Sequence, residues 1–396
     1  MQIVAENRIG RRILRHIRAL AHPRFVGTAG ELRAQNYIRA VLRNEMYHVM
    51  DHPFTSSFFP LDVLPRIIIA SVIIVLILGY FALDAAPAFS VESGVFVLLT
   101  LLLSTRWGRV TEWMYRFRKF GTLRSKNIVA IHPAQNSRMN IVFTAHYDSK
   151  SQTWSGPQRS AMFGALAILS VVSALALIGA AFLPIPGEIA LVALVPAALV
   201  FLALGATATT NASPGAYDNA SGVAVLLELA HSFAGEHPNA NLVFIATGAA
   251  EAGLCGAVAM MQNESFREQF PPEETIVINL DGIGSRGPLR VTDRYGIPPV
   301  KTGPLLSNLA VEIAGRFGIE ARRNWLPAGA SLDHVPFAGH GYQAITLGTS
   351  GWNLAYRAVH TARDVADNLD LSSLEQCYAV CQEIVESIPY IERPVD

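Results

Sequence analysis

Two long apolar blocks interrupt this chain, and any fold it adopts must accommodate them. The first runs from residue 67 to about 104. Its first half, residues 67–83, carries no charge before Asp84. Its second half is strongly apolar only over residues 95–103, with Glu92 at its polar end. The second block covers residues 161–205 and is divided by Pro184, Pro186, Gly187 and Glu188. A helix crossing a bilayer needs about 20 apolar residues, and helices of a globular core seldom contain such long uncharged runs. Each block therefore reads as a helical hairpin that crosses a membrane twice.

Charge orients these hairpins. Their tips contain no Lys or Arg, whereas Arg66, Arg106, Arg109, Arg116, Arg118, Lys119 and Arg159 flank the roots. An excess of basic residues marks the cytoplasmic side. The expectation is an integral membrane protein with four transmembrane helices, with both termini and the catalytic domain in the cytoplasm. Residues 107–120 interleave Trp107, Trp113, Tyr115, Phe117 and Phe120 with basic residues, a pattern that suits a helix at the lipid headgroups. The first twenty residues lack the uninterrupted apolar core of a signal peptide and read as a helix of the mature protein.

The hairpins divide the chain into five parts. Residues 1–63 open a globular domain, 64–105 form hairpin 1, and 106–160 hold the interfacial segment and more of the domain. Residues 161–206 form hairpin 2, and 207–396 complete the domain. Hydrophobic residues make up 51% of the chain and charged ones only 16%, which is apolar for a soluble enzyme. The formal net charge of zero gives no reason to expect nucleic acid as a partner. Cys255, Cys377 and Cys381 are an odd number without framework spacing, so no disulfide scaffold is expected. Nothing in the sequence bears on oligomeric state.

Outside the hairpins the pattern is α/β. Strand-like runs occur at 127–131, 140–144, 241–246, 275–280, 289–292 and 343–347, with helical patterns at 31–44, 222–234 and 372–387. Alternating strands and helices predict a mixed sheet covered by helices on both faces.

Acids and histidines cluster where these strands end. His146 and Asp148 follow the second run and share one side, because side-chain direction alternates along a strand. His146 could ligate a metal, with Asp148 fixing its tautomer. Asp218 precedes a small-residue run, Asn219 to Ala224, that opens an apolar helix. A further strand runs into Thr247-Gly248-Ala249-Ala250-Glu251-Ala252-Gly253-Leu254-Cys255-Gly256, and Asp281 closes a nearly all-apolar strand. A charge in that place faces a cleft or a metal more often than a core. The last group is His360-Thr361-Ala362-Arg363-Asp364.

These five motifs, in this order, resemble the M28 metallopeptidase family, from about Arg24 to the C-terminus with the hairpins as insertions. Ser331-Leu332-Asp333-His334-Val335-Pro336-Phe337 also resembles a family segment bordering the site. The resemblance implies an M28 aminopeptidase-like fold and an exopeptidase that takes residues from the N-terminus of a peptide substrate. It implies two Zn²⁺ as cofactors. His146 would ligate one zinc with Asp148 orienting it, and Asp218 would bridge both. Asp281 and Glu251 would give one carboxylate to each metal, and His360 would complete the second. Three carboxylates then offset three of the four positive charges.

Two residues depart from the family pattern. The third motif is two consecutive glutamates in the family, the first a general base and the second a metal ligand. Here the pair is Ala250-Glu251, so the ligand is kept and the base is absent. This implies an inactivated chain, by engineering or as a natural pseudopeptidase. Val359 stands where some members place a tyrosine that holds the oxyanion, a role that Tyr356 could take over. The segment His146 to Lys150 also resembles glutaminyl cyclases, single-zinc acyltransferases of the same fold. The Ser221 to Ala224 run and Gly253-Leu254-Cys255-Gly256 look more like the peptidase branch.

Overall fold

A computed structural model describes residues 2–57, 59, 63–104, 122–134, 139–184, 186–236, 238–326 and 332–387. The interfacial segment expected over 107–120, the basic residues Arg106, Arg109, Arg116, Arg118 and Lys119, and Ser331 lie outside the described residues.

The helices are α1 (Gln2–Leu20), α2 (Ala29–Asn44), α3 (Leu64–Phe81), α4 (Pro87–Ser104), α5 (Gly156–Phe182), α6 (Ile189–Gly205), α7 (Ser221–Phe233), α8 (Cys255–Met261), α9 (Glu264–Gln269), α10 (Pro304–Arg316), α11 (His334–Gly339), α12 (Leu354–Arg357) and α13 (Leu371–Ser387). The strands are β1 (His48–Ser56), β2 (Leu123–His132), β3 (Asn140–His146), β4 (Ser151–Gln152), β5 (Thr209–Thr210), β6 (Asn241–Thr247), β7 (Thr275–Leu280), β8 (Leu289–Tyr295), β9 (Val300–Lys301), β10 (Ala321–Leu326) and β11 (Gln343–Thr349).

The main sheet runs β1-β2-β6-β3-β7-β11-β8-β10, with β9 paired to β8. Its centre, β6-β3-β7-β11, is parallel, and β2 and β8 flank it antiparallel. Alternation sorts the two faces. Ile141, Phe143 and Ala145 of β3 pack toward α1, α2, α7, α10 and α13. Val142 of the same strand packs on the other side with α8, Phe266 and Phe337. Both faces are thus covered, as the mixed α/β reading expected. Parallel strands buried on both faces also explain why β3 and β6 read as nearly continuous apolar runs.

Both apolar blocks form helical hairpins, α3–α4 and α5–α6, and the four helices pack together. Val72, Leu76, Val97, Ala174, Leu177 and Leu194 make the centre of that unit. Small residues allow close approach: a Cβ on Gly79 would lie 2.8 Å from the Ser93 side chain, and one on Gly94 would lie 2.8 Å from the Ala174 carbonyl. Ser90 Oγ donates to the Gly79 carbonyl at 2.7 Å, a bond from α4 to α3. The outward positions are bare and apolar, with Phe81 and Val192 each 76% exposed and Phe182 73% exposed. By length and composition, α3 and α5 could cross a bilayer, whereas α4 and α6 form shorter apolar helices. The second hairpin also starts earlier than the apolar pattern suggested. Its first turn is polar, opened by the Ser155–Gln158 capping box and Pro157.

Hairpin 2 is an excursion from the edge of the sheet where the central parallel strands end. The chain leaves β3, pairs β4 with β5 as a two-stranded ribbon, passes through α5 and α6, and returns before Asp218. The ribbon keeps the two ends of the insertion side by side.

Candidate metal centre

The C-terminal ends of the four central parallel strands meet at one edge, where ligands collect in open α/β sheets. His146 is the last residue of β3, Asp281 follows β7 and Glu251 follows β6. His360 lies on the segment that leaves β11, and Asp218 sits in the turn opening α7.

The five expected ligands form two trios that share one residue. His146, Asp218 and Asp281 are one trio; Asp218, Glu251 and His360 are the other. Asp218 Oδ1 lies 3.2 Å from His146 Nε2, and its Oδ2 lies 3.1 Å from His360 Nε2. His146 Nε2 is 3.6 Å from Asp281 Oδ2, and His360 Nε2 is 3.0 Å from Glu251 Oε1. His146 Nδ1 points back to the Asp148 carbonyl at 3.2 Å, and to its Oδ1 at 3.5 Å, leaving Nε2 for the centre.

Three of the ligand-bearing turns, those of Glu251, Asp218 and Asp281, are each held by a buried polar side chain from a different motif. Asp148 accepts from the backbone N–H of Ala250 and of Glu251, both at 3.0 Å. Asp364 accepts from Tyr217 at 2.7 Å and Asp218 at 3.1 Å. Asn219 Oδ1 accepts from Gly222 at 3.0 Å and Gly282 at 3.3 Å, and its amide donates to the Leu280 carbonyl. Sequence reasoning gave Asp148 a role toward His146; the structure adds its grip on the Glu251 turn. His360 itself has φ of +63°. Such a backbone costs roughly 1–3 kcal/mol and persists where the surroundings fix it. Here the His360 carbonyl accepts from Gln152 N at 2.9 Å, and the Val359 carbonyl accepts from Gly156 N at 3.1 Å. The last ligand therefore rests on the first turn of α5.

Sequence reasoning gave no role to Lys150, Arg24 or Asp364. Lys150 Nζ lies 2.8 Å from Glu251 Oε2, the oxygen turned away from His360. It sits four residues after His146 in the same motif, which is the signal that could have marked it. Ala250 is nearly buried, and no carboxylate takes its place in the 3₁₀ turn Ala250–Ala252. Val359 packs on Gly156 rather than facing the trios, and the Tyr356 ring lies beside Trp352, their centroids 6.0 Å apart. Asp333 is buried, with Oδ2 accepting from Thr247 Oγ1 and Oδ1 unpartnered.

Burial and neighbouring charges divide these groups. Burial pushes the Asp281 carboxyl up to about 7, with His146 pulling it down and Asp218 adding to the rise. Burial likewise raises Asp364 to about 7 and Asp333 to about 6. Burial would raise Glu251 too, but Lys150 and His360 bring it down to about 2. Burial works against protonation of His360, yet Glu251 and Asp218 outweigh it and raise the imidazole to about 9. The donor set fits divalent cations: three carboxylates converge on two imidazole Nε2 atoms in a largely buried site.

Residues 202–385 match the model of Peptidase family M28. The matched domain contains Asp218, Glu251, Asp281 and His360; His146 and Asp148 precede it. Among curated relatives, a probable zinc metalloprotease of Pyrenophora tritici-repentis is 37% identical over 108 residues, 27% of this chain and 24% of the relative. Aminopeptidase YwaD of Bacillus subtilis is 30% identical over 189 residues, 46% of this chain and 40% of the relative. The chain thus matches between a quarter and two-fifths of the length of these relatives. Among solved structures, the chain shares its fold with the aminopeptidase from Aneurinibacillus sp. strain AM-1. The TM-score is 0.57 at 16% identity, covering 98% of this chain and 96% of that one. Glutaminyl cyclase of Fimbriiglobus ruber has the same fold at TM-score 0.56 and 12% identity, covering 95% of this chain and 94% of that one.

Proposed function

We propose that this chain is a membrane-embedded, two-zinc aminopeptidase of the M28 type in which Ala250 replaces the general base. The observation that carries the reading is Asp218, whose two oxygens face two different histidines, each within its own trio. His146, Asp218 and Asp281 would hold one zinc, and Asp218, Glu251 and His360 the other.

Bound zinc would supply polarisation of the scissile carbonyl and an activated water. The remaining work falls to the chain. Asp148 keeps His146 Nε2 free for the centre and fixes the backbone of residues 250 and 251. Lys150 holds the outer oxygen of Glu251, so that Oε1 alone turns inward. A glutamate at position 250 would stand one residue from this anchored ligand and take the proton from the attacking water. Without a positioned base, rates fall by about 10²–10⁴-fold. The chain as written is therefore a nearly inactive metalloprotein.

Membrane embedding is supported by the bare apolar faces of α3–α6. In this reading all four helices span the bilayer, and the roots, with Arg66 and Arg159, face the cytoplasm. Because hairpin 2 leaves and re-enters beside the metal centre, the site lies close to the bilayer. Its substrates are peptides with a free N-terminus, including apolar peptides that partition into the membrane.

Purified protein should hold two zinc ions per chain, because Ala250 is not a ligand. Ala250→Glu should restore release of N-terminal residues from free peptides and leave acetylated peptides intact. One zinc, with ammonia released from N-terminal glutamine, would favour the cyclase reading. Two zincs with no turnover after Ala250→Glu would favour a non-catalytic pseudopeptidase. Equal turnover of soluble and membrane-partitioned peptides would leave the hairpins as simple anchors.

A further inference from the structure

Arg24 lies between α1 and α2 and is completely buried. The acceptors of its guanidinium are backbone carbonyls. Nε donates to Tyr147 at 2.5 Å and Nη2 to Gly215 at 2.8 Å; Nη1 donates to Leu20 at 2.9 Å, to His22 at 3.2 Å and to Pro214. Its backbone joins in: Arg24 N donates to Ser149 Oγ at 3.2 Å, and Ser149 N donates to the Arg24 carbonyl at 3.3 Å. Ser149 Oγ in turn donates to the Ser213 carbonyl at 3.1 Å.

Besides Leu20 and His22 close by in sequence, these partners fall on two distant stretches of chain, residues 147–149 and 213–215. The first follows His146 directly, where the chain departs for hairpin 2. The second is where it returns, three residues before Asp218. Gly215 has φ of +60°, and a Cβ there would lie 2.6 Å from the Asp218 carbonyl and from Ser149 Cβ and 3.1 Å from Arg24 Nη1, so the two stretches pack this closely only around a glycine. A buried charge that bonds only carbonyls is costly, and here the nearby carboxylates of Asp364, Asp148, Asp218 and Glu251 offset part of that cost. An apolar side chain could fill the same volume, but it could not bond both stretches. Lysine keeps the charge but lacks the planar fork that reaches several acceptors at fixed angles.

We infer that Arg24 is a positioning residue for the metal centre: its fork fixes the separation of the turns bearing His146 and Asp218, and so ties the seat of hairpin 2 to the centre. The inference rests on the proposed two-metal reading only in its metal readout, since the clamp itself belongs to the metal-free chain.

The test uses the full chain in lipid nanodiscs. In metal-free Arg24→Lys, amide hydrogen exchange at Tyr147, Ser149, Tyr217 and Asp218 should be about tenfold faster or more, while β7 and β11 amides keep their protection. Zinc affinity, measured by competition with a chromophoric chelator, should fall about 10–100-fold, and the visible spectrum of the Co²⁺-substituted protein should change. Full rescue by lysine, with native exchange and native affinity, would overturn the inference, because only the charge would then matter. If Arg24→Lys does not fold, Ser149→Ala decides, because it removes one strut and keeps the guanidinium. Faster exchange at the same four amides supports the clamp; native exchange there reduces Arg24 to general packing and overturns it. A wild-type chain that binds fewer than two zincs would count against the proposed function and leave the exchange result standing.

Discussion

Asp218 is the residue on which both trios depend, and its neighbours are committed to holding it. Tyr217 and Asp218 give their N–H groups to Asp364. Asp218→Asn should therefore weaken both metal sites together, whereas Asp281→Asn should weaken one. Titration with zinc under chelator competition would distinguish the two, and loss of only one site in Asp218→Asn would exclude the bridging role. Asp364→Ala leaves two buried N–H groups unpaired. Leaving each unpaired costs about 1–3 kcal/mol, so the metal-free chain should lose roughly 2–6 kcal/mol in denaturant unfolding. Among the candidate ligands, His146 and Asp281 stood out in the sequence because they close apolar strands and Asp218 because it precedes an apolar helix, whereas Glu251 and His360 stood out only through the resemblance of the five motifs together. Lys150 and Asp364 were legible only as letters inside motifs, and Arg24 only as the start of the matching region. Their roles come from groups more than a hundred residues away, a side-chain carboxylate for Lys150 and backbone groups for Asp364 and Arg24, which no local pattern encodes.

At the scale of elements, the buried strands announced themselves and the outer ones did not. β3, β6, β7 and β11 are nearly continuous apolar runs. β1 has Pro53 and β10 reads Ala-Arg-Arg-Asn-Trp-Leu, because both lie at the ends of the sheet order, where one side is open to solvent. The hairpins were legible from composition, but their packing was not. It depends on Gly79, Ser90, Ser93 and Gly94, small residues that let helices approach closely in the absence of water. Gly94→Leu would force α4 away from Ala174 and Ile178 of α5. We expect loss of the folded four-helix unit, read as protease sensitivity in detergent, with Gly164→Leu as a tolerated control because nothing lies within 4 Å of that site. The three native cysteines are buried, so introduced thiols report topology. Cysteine at Ala86 should label from outside intact cells and cysteine at Gln262 should not; the reverse would invert the proposed orientation.

For the molecule as a whole, the metal centre sets how stability depends on pH. In the metal-free chain, His360 is raised to about 9. A histidine raised in this way stabilises the fold fully below its unfolded value of about 6.5, and that contribution disappears as pH climbs through 9. Asp281 and Asp364, raised to about 7, act in the same direction between about pH 4 and 7. Glu251, lowered to about 2, acts oppositely: its contribution is present above its unfolded value and vanishes as pH falls through 2. The Tm of chelator-treated protein should therefore decline steadily from pH 6 to 9. With saturating zinc the shares of His360 and Asp281 should disappear and that of Asp364, which is not a ligand, should remain, because metal binds the deprotonated ligands. Parallel slopes with and without zinc would mean that the metal does not occupy these groups.

The placement of hairpin 2 also sets an order of events during biogenesis. His146 is synthesised before the hairpin and Asp218 after it, so a nascent chain whose second hairpin is still loose holds the halves of one zinc trio apart. The ribbon of β4 and β5 can close only once α5 and α6 have come together, and His360, seated on the first turn of α5, arrives later still. On the proposed membrane reading, the zinc site would be completed only after the hairpin has inserted.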